Sequence, residues 1–269
     1  MSTKTTYGPT ALIVGGSEGI GLCLAQRLAA EGLDLILVAR TQAKLDEAAT
    51  SISQQHGVKV TTHSIDLCQP ITEDTLKTIG GDSEIGLMIY NAGADGKMGL
   101  FLDLPVSDAD DIVTLNCINP SRFCHYFAPA MVANKHGGVV FVSSLASLAG
   151  SAYVTSYSSA KSFINNFAEG LYQELKPSGV HVLGFLVGAT RTPAMHRAGL
   201  SVDSNPMVME SDQVAESLLA NLANGPIQYA GANADIAPML RDNNRGPVGE
   251  MMSSASAEVA GKPWPPVYE

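Results

Sequence analysis

Short runs of β-branched and aliphatic residues alternate with longer helical stretches along almost the whole of this chain, and no other feature limits its fold so tightly. The run 10-TALIV-14 reads as a buried strand, and residues 19–31 read as a helix stopped by Gly32. A second strand covers 33–38, and a helix covers 42–55 with a stop at Gly57. Residues 58–63 form a third strand, 71–79 a short helix and 85–90 a fourth strand. A loop to about Pro105 leads into a long helix ending near Asn134; then come strand 139–143, a long helix over 153–176 and strand 180–186. A loop rich in Met, Pro and Ser runs from Gly188 to Glu210, before a helix at 212–224, a short run at 227–229 and a candidate helix around 247–259. Strands separated by helix-length connections pair in parallel, because a parallel crossover needs a dozen or more residues and takes one hand. The expectation is an α/β fold: one domain, a doubly wound parallel sheet with helices on both faces, and ligands beyond the carboxyl ends of the strands.

Composition narrows the partners. The 269 residues are 45% hydrophobic, and 16 basic against 26 acidic residues give a net charge of −10. That balance argues against nucleic acid or an anionic membrane as partner, so any bound anion must be caught by a local device. No apolar run approaches the ~20 residues of a membrane span. The opening MSTKTTYGPT lacks the apolar core of a signal peptide, so a cytoplasmic protein is expected. Cys23, Cys68, Cys117 and Cys124 are scattered, the six histidines form no H-x-x-x-H pair, and no metal site is expected. Cys117, Phe123 and Phe127 read as core.

Between the first strand and first helix lies 15-GGSEGIG-21. Glycines there let backbone amides approach a pyrophosphate at a helix N-terminus, where the dipole favours negative charge. The bland alternative is a tight turn packed with small residues. An NAD site wants an acid at the end of the second strand, but the chain reads Val38-Ala39-Arg40. A guanidinium makes bidentate bonds to phosphate oxygens and suits a ribose 2′-phosphate, which favours NADP(H) over NAD. Glu18 puts a negative charge in the same loop, where a base would have reinforced that preference.

Tyr157-Ser158-Ser159-Ala160-Lys161 falls on the long helix at 153–176, and residues four apart share one helical face. Ser144 ends the fifth strand, Asn91-Ala92-Gly93 ends the fourth, and Asn116 sits within the next helix. Each could be bland alone: Ser144 a strand-end cap, Asn116 a buried amide, Tyr157 and Lys161 an exposed pair.

With these residues the chain resembles the short-chain dehydrogenases/reductases, from about Thr10 to Thr192 and more loosely to Gly231. The family's T-G-x-x-x-G-I-G loop stands here as Val14-Gly15-Gly16-Ser17-Glu18-Gly19-Ile20-Gly21, with Val14 for threonine. Its aspartate after strand three falls on Asp66-Leu67, its N-A-G on Asn91-Ala92-Gly93, and its P-G on Val187-Gly188. The resemblance implies a Rossmann-type fold and a catalytic tetrad of Asn116, Ser144, Tyr157 and Lys161. It implies NADP(H) contacts from Gly15, Ser17, Glu18, Gly19, Ile20, Arg40, Asp66 and Leu67, from Asn91, Ala92 and Gly93, from Tyr157 and Lys161, and from Gly188, Thr190 and Thr192. It also implies a homodimer or homotetramer through the two long helices. In such a tetrad Tyr157 gives or takes a proton, Ser144 polarises a carbonyl, Lys161 favours the phenolate and bonds the ribose, and Asn116 holds a water leading to solvent. Lowering a tyrosine's pKa of ~10 by about three units takes ~4 kcal/mol, which one ammonium ~4 Å away supplies at an effective dielectric near 20.

The reaction expected is hydride transfer between nicotinamide and a carbonyl or secondary alcohol. The alternatives are an NADP-binding regulator or scaffold without turnover, and a nucleotide-binding transferase on the same sheet. Segments 94–104, 145–154 and 189–210 should gather at the substrate side, bringing Met98, Leu100, Phe101, Leu145, Leu148, Tyr153, Met195, Leu200, Met207 and Met209. That favours a bulky lipophilic small molecule, with some of these side chains facing the core instead. Residues 189–210, punctuated by Pro193, Gly199 and Pro206, are expected to act as a lid.

Overall fold

The computed structural model describes residues 3–93, 98–197, 207–242 and 244–267. Its principal strands are β1 (Thr10–Val14), β2 (Asp34–Ala39), β3 (Val60–Ser64), β4 (Ile85–Tyr90), β5 (Gly137–Ser144) and β6 (Val180–Val187). Further along come β7 (Thr190–Arg191), β8 (Met209–Glu210) and β9 (Ile227–Tyr229). Seven of them form one sheet in the order β3-β2-β1-β4-β5-β6-β9, every neighbour parallel, while β7 pairs with β8 separately. This is the doubly wound, Rossmann-type sheet expected from the alternation of elements, in a single domain.

Helices cover both faces: α1 (Thr3–Tyr7), α2 (Gly19–Ala30), α3 (Gln42–His56), α4 (Glu73–Gly80), α5 (Val106–Val113), α6 (Asn119–Asn134) and α7 (Thr155–Leu175). After them come α8 (Pro193–Arg197), α9 (Ser211–Ala220), α10 (Asn233–Leu240) and α11 (Arg245–Ala260). Successive strand residues point to opposite faces, so both faces must be apolar where both are covered. Ala11, Ile13, Leu35 and Leu37 meet Leu24, Leu28, Leu45, Val214 and Leu218 from α2, α3 and α9 on one side. Leu12, Val14, Ile36 and Val38 meet Leu76, Phe123, Phe127 and Ile164 from α4, α6 and α7 on the other.

Several boundaries depart from the sequence expectation, each for a local reason. The short helix starts at Glu73 because the Thr72 hydroxyl caps it, accepting from Thr75 N at 3.2 Å. The long helix starts at Thr155, two residues late, because Tyr153 sits at φ 65°, outside helical backbone. The helix near Asn134 is interrupted by a π turn over Thr114–Ile118. Residues 227–229 form β9 at the edge of the main sheet, and the sequence held no signal for α1 and α10. Within 188–210, β7, α8 and β8 are formed; the remainder of the expected lid, 198–206, lies outside the described residues. Among the described residues no helix is long and apolar enough to cross a membrane.

Phe123 is fully buried and meets the Tyr90 ring edge-on at 5.6 Å. Replacing it by alanine should cost about 3–5 kcal/mol, read as a lower urea midpoint, because the cavity at such a packed site cannot fully collapse.

Candidate active site

The strand order reverses between β1 and β4, the place where a doubly wound sheet opens a crevice. Two loops meet there. Asn91 N and Ala92 N both donate to Val14 O, at 2.9 and 2.8 Å, and Asn91 Nδ2 donates to Gly15 O at 3.0 Å. Gly15 stands at φ 87°, and a Cβ there would lie 2.7 Å from Ala92 N, so only glycine lets the loops approach this closely. The loop continues through Ser17 and Glu18 into Gly19 and the buried Ile20 at the start of α2. The Glu18 side chain at its N-cap does not cap α2, whose first amides face the loop side, an arrangement that fits an anionic pyrophosphate. Thr192 reaches over from beyond β6, its methyl 3.4 Å from where a Gly19 Cβ would stand.

Arg40 is exposed at the end of β2, and among the described residues no carboxylate forms an ion pair with it. The negative charge of Glu18, expected to weigh against a phosphate, is already committed. Arg197 from α8 and Lys44 from α3 both bond it, and Arg197 foremost holds its carboxyl below the usual range. Farther along, Asp66 Oδ1 accepts from Cys68 N at 3.1 Å, and Leu67 is buried. Asn119 pins this turn: its Nδ2 donates to Leu67 O and Gln69 O, and its Oδ1 accepts from Ile71 N. Sequence alone offered no signal for Asn119, because its partners lie about fifty residues away.

The four residues of the expected tetrad come from three neighbouring elements. Asn116 sits in the π turn, which Tyr90 anchors by donating its hydroxyl to Leu115 O at 2.8 Å. Its Nδ2 donates to Ile112 O at 3.0 Å, while its buried Oδ1 has no hydrogen-bond partner among the described residues. Both that oxygen and Lys161 Nζ lie 2.5 Å from the position a Gly93 Cβ would take, so the glycine keeps open the space they share. Lys161 Nζ donates to Val142 O at 2.9 Å and stands 5.7 Å from the centre of the Tyr157 ring one turn earlier on α7. Ser144 ends β5; its Oγ accepts from Ala146 N at 3.2 Å, which leaves its proton free to donate. Behind it Ser147 bonds Ser144 O and accepts from Asn165 Nδ2, two side chains the sequence reading missed. Past β6, Gly188 lies against Asn233 of α10, and the Thr190 hydroxyl donates to Gly188 O at 3.1 Å.

Leu145 and Leu148, expected toward substrate, instead pack with Leu186, Leu240 and Val248, because α10 and α11 give them an apolar partner. Phe123 and Phe127 are core as expected, whereas Cys117 is only half-buried, its thiol 3.8 Å from Ala160 O. Beside Tyr157 opens a cleft walled by Phe101, Leu104, Val106, Ile112 and Tyr153.

Burial pulls the Lys161 ammonium down to about 8, against a model-peptide value near 10.5. Between these two values the unfolded chain binds the extra proton, so this lysine's contribution to stability rises with pH there. Wild type should therefore gain on Lys161→Met between pH 8 and 10, by up to about 3 kcal/mol, in nucleotide-free thermal unfolding. A difference that stays flat across this range would show that the ammonium is solvated.

Comparisons with known proteins agree with this fold. The short chain dehydrogenase family model matches residues 9–202. The very-long-chain 3-oxoacyl-CoA reductase of Phaeosphaeria nodorum is 34% identical over 187 residues, covering 68% of this chain and 55% of that protein. The chain spans about half the length of the curated relatives it matches. A short-chain dehydrogenase from Sphingobium yanoikuyae, solved in complex with NADPH, superposes with a TM-score of 0.78 at 32% identity, over 87% of this chain and 94% of that one. The bulky-bulky ketone specific alcohol dehydrogenase from Comamonas testosteroni gives 0.74 at 27% identity, over 89% and 96%. With the glycine loop, the reversal point and the Tyr157–Lys161 face in their places, and the family model spanning most of its length, the chain belongs to the short-chain dehydrogenase family.

Proposed function

We propose that this protein is an NADP(H)-dependent oxidoreductase that interconverts a carbonyl and a secondary alcohol, on a bulky lipophilic substrate. The observation that carries the reading is that Asn116 Oδ1 and Lys161 Nζ share the space Gly93 leaves open, with the Tyr157 ring 5.7 Å from the ammonium and Ser144 at the end of the neighbouring strand β5. The residues fit a dinucleotide: the uncapped start of α2 suits its pyrophosphate, and the buried, unpartnered Asn116 Oδ1 suits a water serving Lys161. When bound, the nicotinamide supplies or accepts the hydride.

The chain's own residues do the rest. Ser144 donates to the substrate oxygen and orients it. Tyr157 delivers or removes the proton at that oxygen, and the Lys161 ammonium, in a dry setting where its field is strong, favours the phenolate. A water held by Asn116 Oδ1 links Lys161 to solvent and carries the proton onward. Phosphate preference rests on the exposed Arg40, with Glu18 neutralised by Lys44 and Arg197. The NADPH held by the Sphingobium relative supports it. The apolar lining of the cleft beside Tyr157 supports a lipophilic substrate, and the substrates named for the Comamonas and Phaeosphaeria relatives support a bulky one. This reading includes a cytoplasmic homodimer or homotetramer; the exposed Val113, Ile118 and Phe163 on the long helices support the assembly.

Two variants test the proposal. Tyr157→Phe should lose about 10²–10⁴-fold in turnover of a bulky ketone while still binding NADPH, since only the proton donor goes. Retention of more than about a tenth of the activity would remove the tyrosine from proton transfer. Arg40→Asp should weaken NADPH binding about ten- to a hundredfold, the worth of charge-assisted bonds to a phosphate, and improve NADH binding. A wild type that already prefers NADH in titration would overturn the phosphate assignment.

A further inference from the structure

The chain beyond residue 202 lies outside the part matched by the family model, yet it is tied closely to the turn between Ser144 and Tyr157. Arg245 Nη2 donates to Leu148 O at 2.7 Å. Ser151 Oγ donates to Met252 O at 3.0 Å and shares a bond with Ser256 Oγ, and Ala152 N donates to Ser253 Oγ at 2.9 Å. Tyr153 then points its hydroxyl into the tail, donating to Pro263 O at 2.5 Å. Its backbone stands at φ 65°, a conformation that aromatic residues rarely adopt, so this turn is held from outside.

Tyr153 also joins the two walls of the cleft. Its carbonyl accepts from Gly99 N at 2.9 Å, which binds the wall of residues 99–112 to the wall of residues 153–157. Leu100 from the first wall and Tyr153 from the second pack together on Ala257 and Trp264. The C-terminal helix and tail thus grip both walls at one point, four residues before Tyr157.

We infer that Tyr153 is a positioning residue through which the C-terminal segment 245–267 sets the width of the cleft for a bulky apolar ketone. The inference rests on the carbonyl-reductase reading above. Opening the clamp lets the walls part, so a ligand large enough to touch both loses contacts that a small ketone never makes.

Trp264 is the chain's one tryptophan, so its emission reports the clamp directly. Wild type and Tyr153→Phe, which keeps the ring and removes the hydroxyl, are compared with cyclohexyl phenyl ketone and cyclohexanone as probes. The ratio of kcat/KM for the bulky over the small ketone should fall about tenfold in the variant, mostly through KM for the bulky one, with NADPH affinity within about twofold of wild type. Trp264→Ala should shift the same ratio in the same direction. With NADPH present, cyclohexyl phenyl ketone should change Trp264 emission in wild type, with an apparent Kd about tenfold weaker in Tyr153→Phe. Equal losses for both ketones, or no change for either, would overturn the inference. An emission unmoved by the bulky ketone would also overturn it. If neither ketone is reduced by wild type, the reductase reading fails by itself, while the emission titration still decides the role of the clamp.

Discussion

The pairing of β1 with β4, two parallel strands separated along the chain by three helical connections, is the constraint on which the rest of the molecule depends. Parallel strands cannot be joined by a tight turn, so each crossover spends a helix, and a fixed hand sends those helices to opposite faces on either side of the reversal. The loops leaving β1 and β4 then diverge, and the crevice between them collects whatever side chains stand at the strand ends. Asn91 and Ala92 bonding to Val14 O hold this crevice to one width, and Gly15 is the residue that allows it.

Burying an ammonium beside that crevice has its own cost, and the surrounding structure is arranged to meet it. Lys161 is taken out of water by α7, and Val142 O accepts one of its protons. Its neighbour across Gly93 is the unpartnered Asn116 Oδ1, which exists because the helix widens into a π turn. Asn116 is thus presented by a departure from regular helix, a recurrent way of aiming a side chain at a functional site. In the proposed reading a proton enters and leaves through this polar seam, while the apolar cleft on the other side of Tyr157 keeps water from the substrate.

Charge is handled locally throughout. The chain carries a net −10, yet the mouth of the crevice holds Arg40, Lys44 and Arg197. Two of these are occupied by Glu18, which ties the glycine loop to α3 and α8 at once. An acid that seemed, on the sequence, to oppose phosphate binding therefore works first as a bracket between three segments. That reversal came from Arg197, nearly two hundred residues away along the chain.

The fold and the sharing of one helical face by Tyr157 and Lys161 were legible in the amino-acid order because both rest on local periodicity. Strands such as 10–14 and 85–90 are continuous apolar runs, Gly57 and Gly32 end their helices in left-handed backbone, and Tyr157 and Lys161 share a face by spacing alone. What the sequence could not carry were contacts whose partners are distant and whose residue types are ordinary. Leu145 and Leu148 look like pocket residues until α10 and α11 cover them, and Asn119, Asn165 and Ser147 acquire meaning only from the carbonyls and hydroxyls brought to them. Tyr153 is the sharpest case: nothing in its neighbours along the chain requires φ 65°, which the C-terminal tail and Gly99 together impose. Order along the chain determined which elements form and which face each presents, because backbone hydrogen bonding and side-chain period are short-range. Tertiary structure decided which buried polar atoms are satisfied and how wide the cleft stands, because those depend on groups that meet only after the sheet has closed.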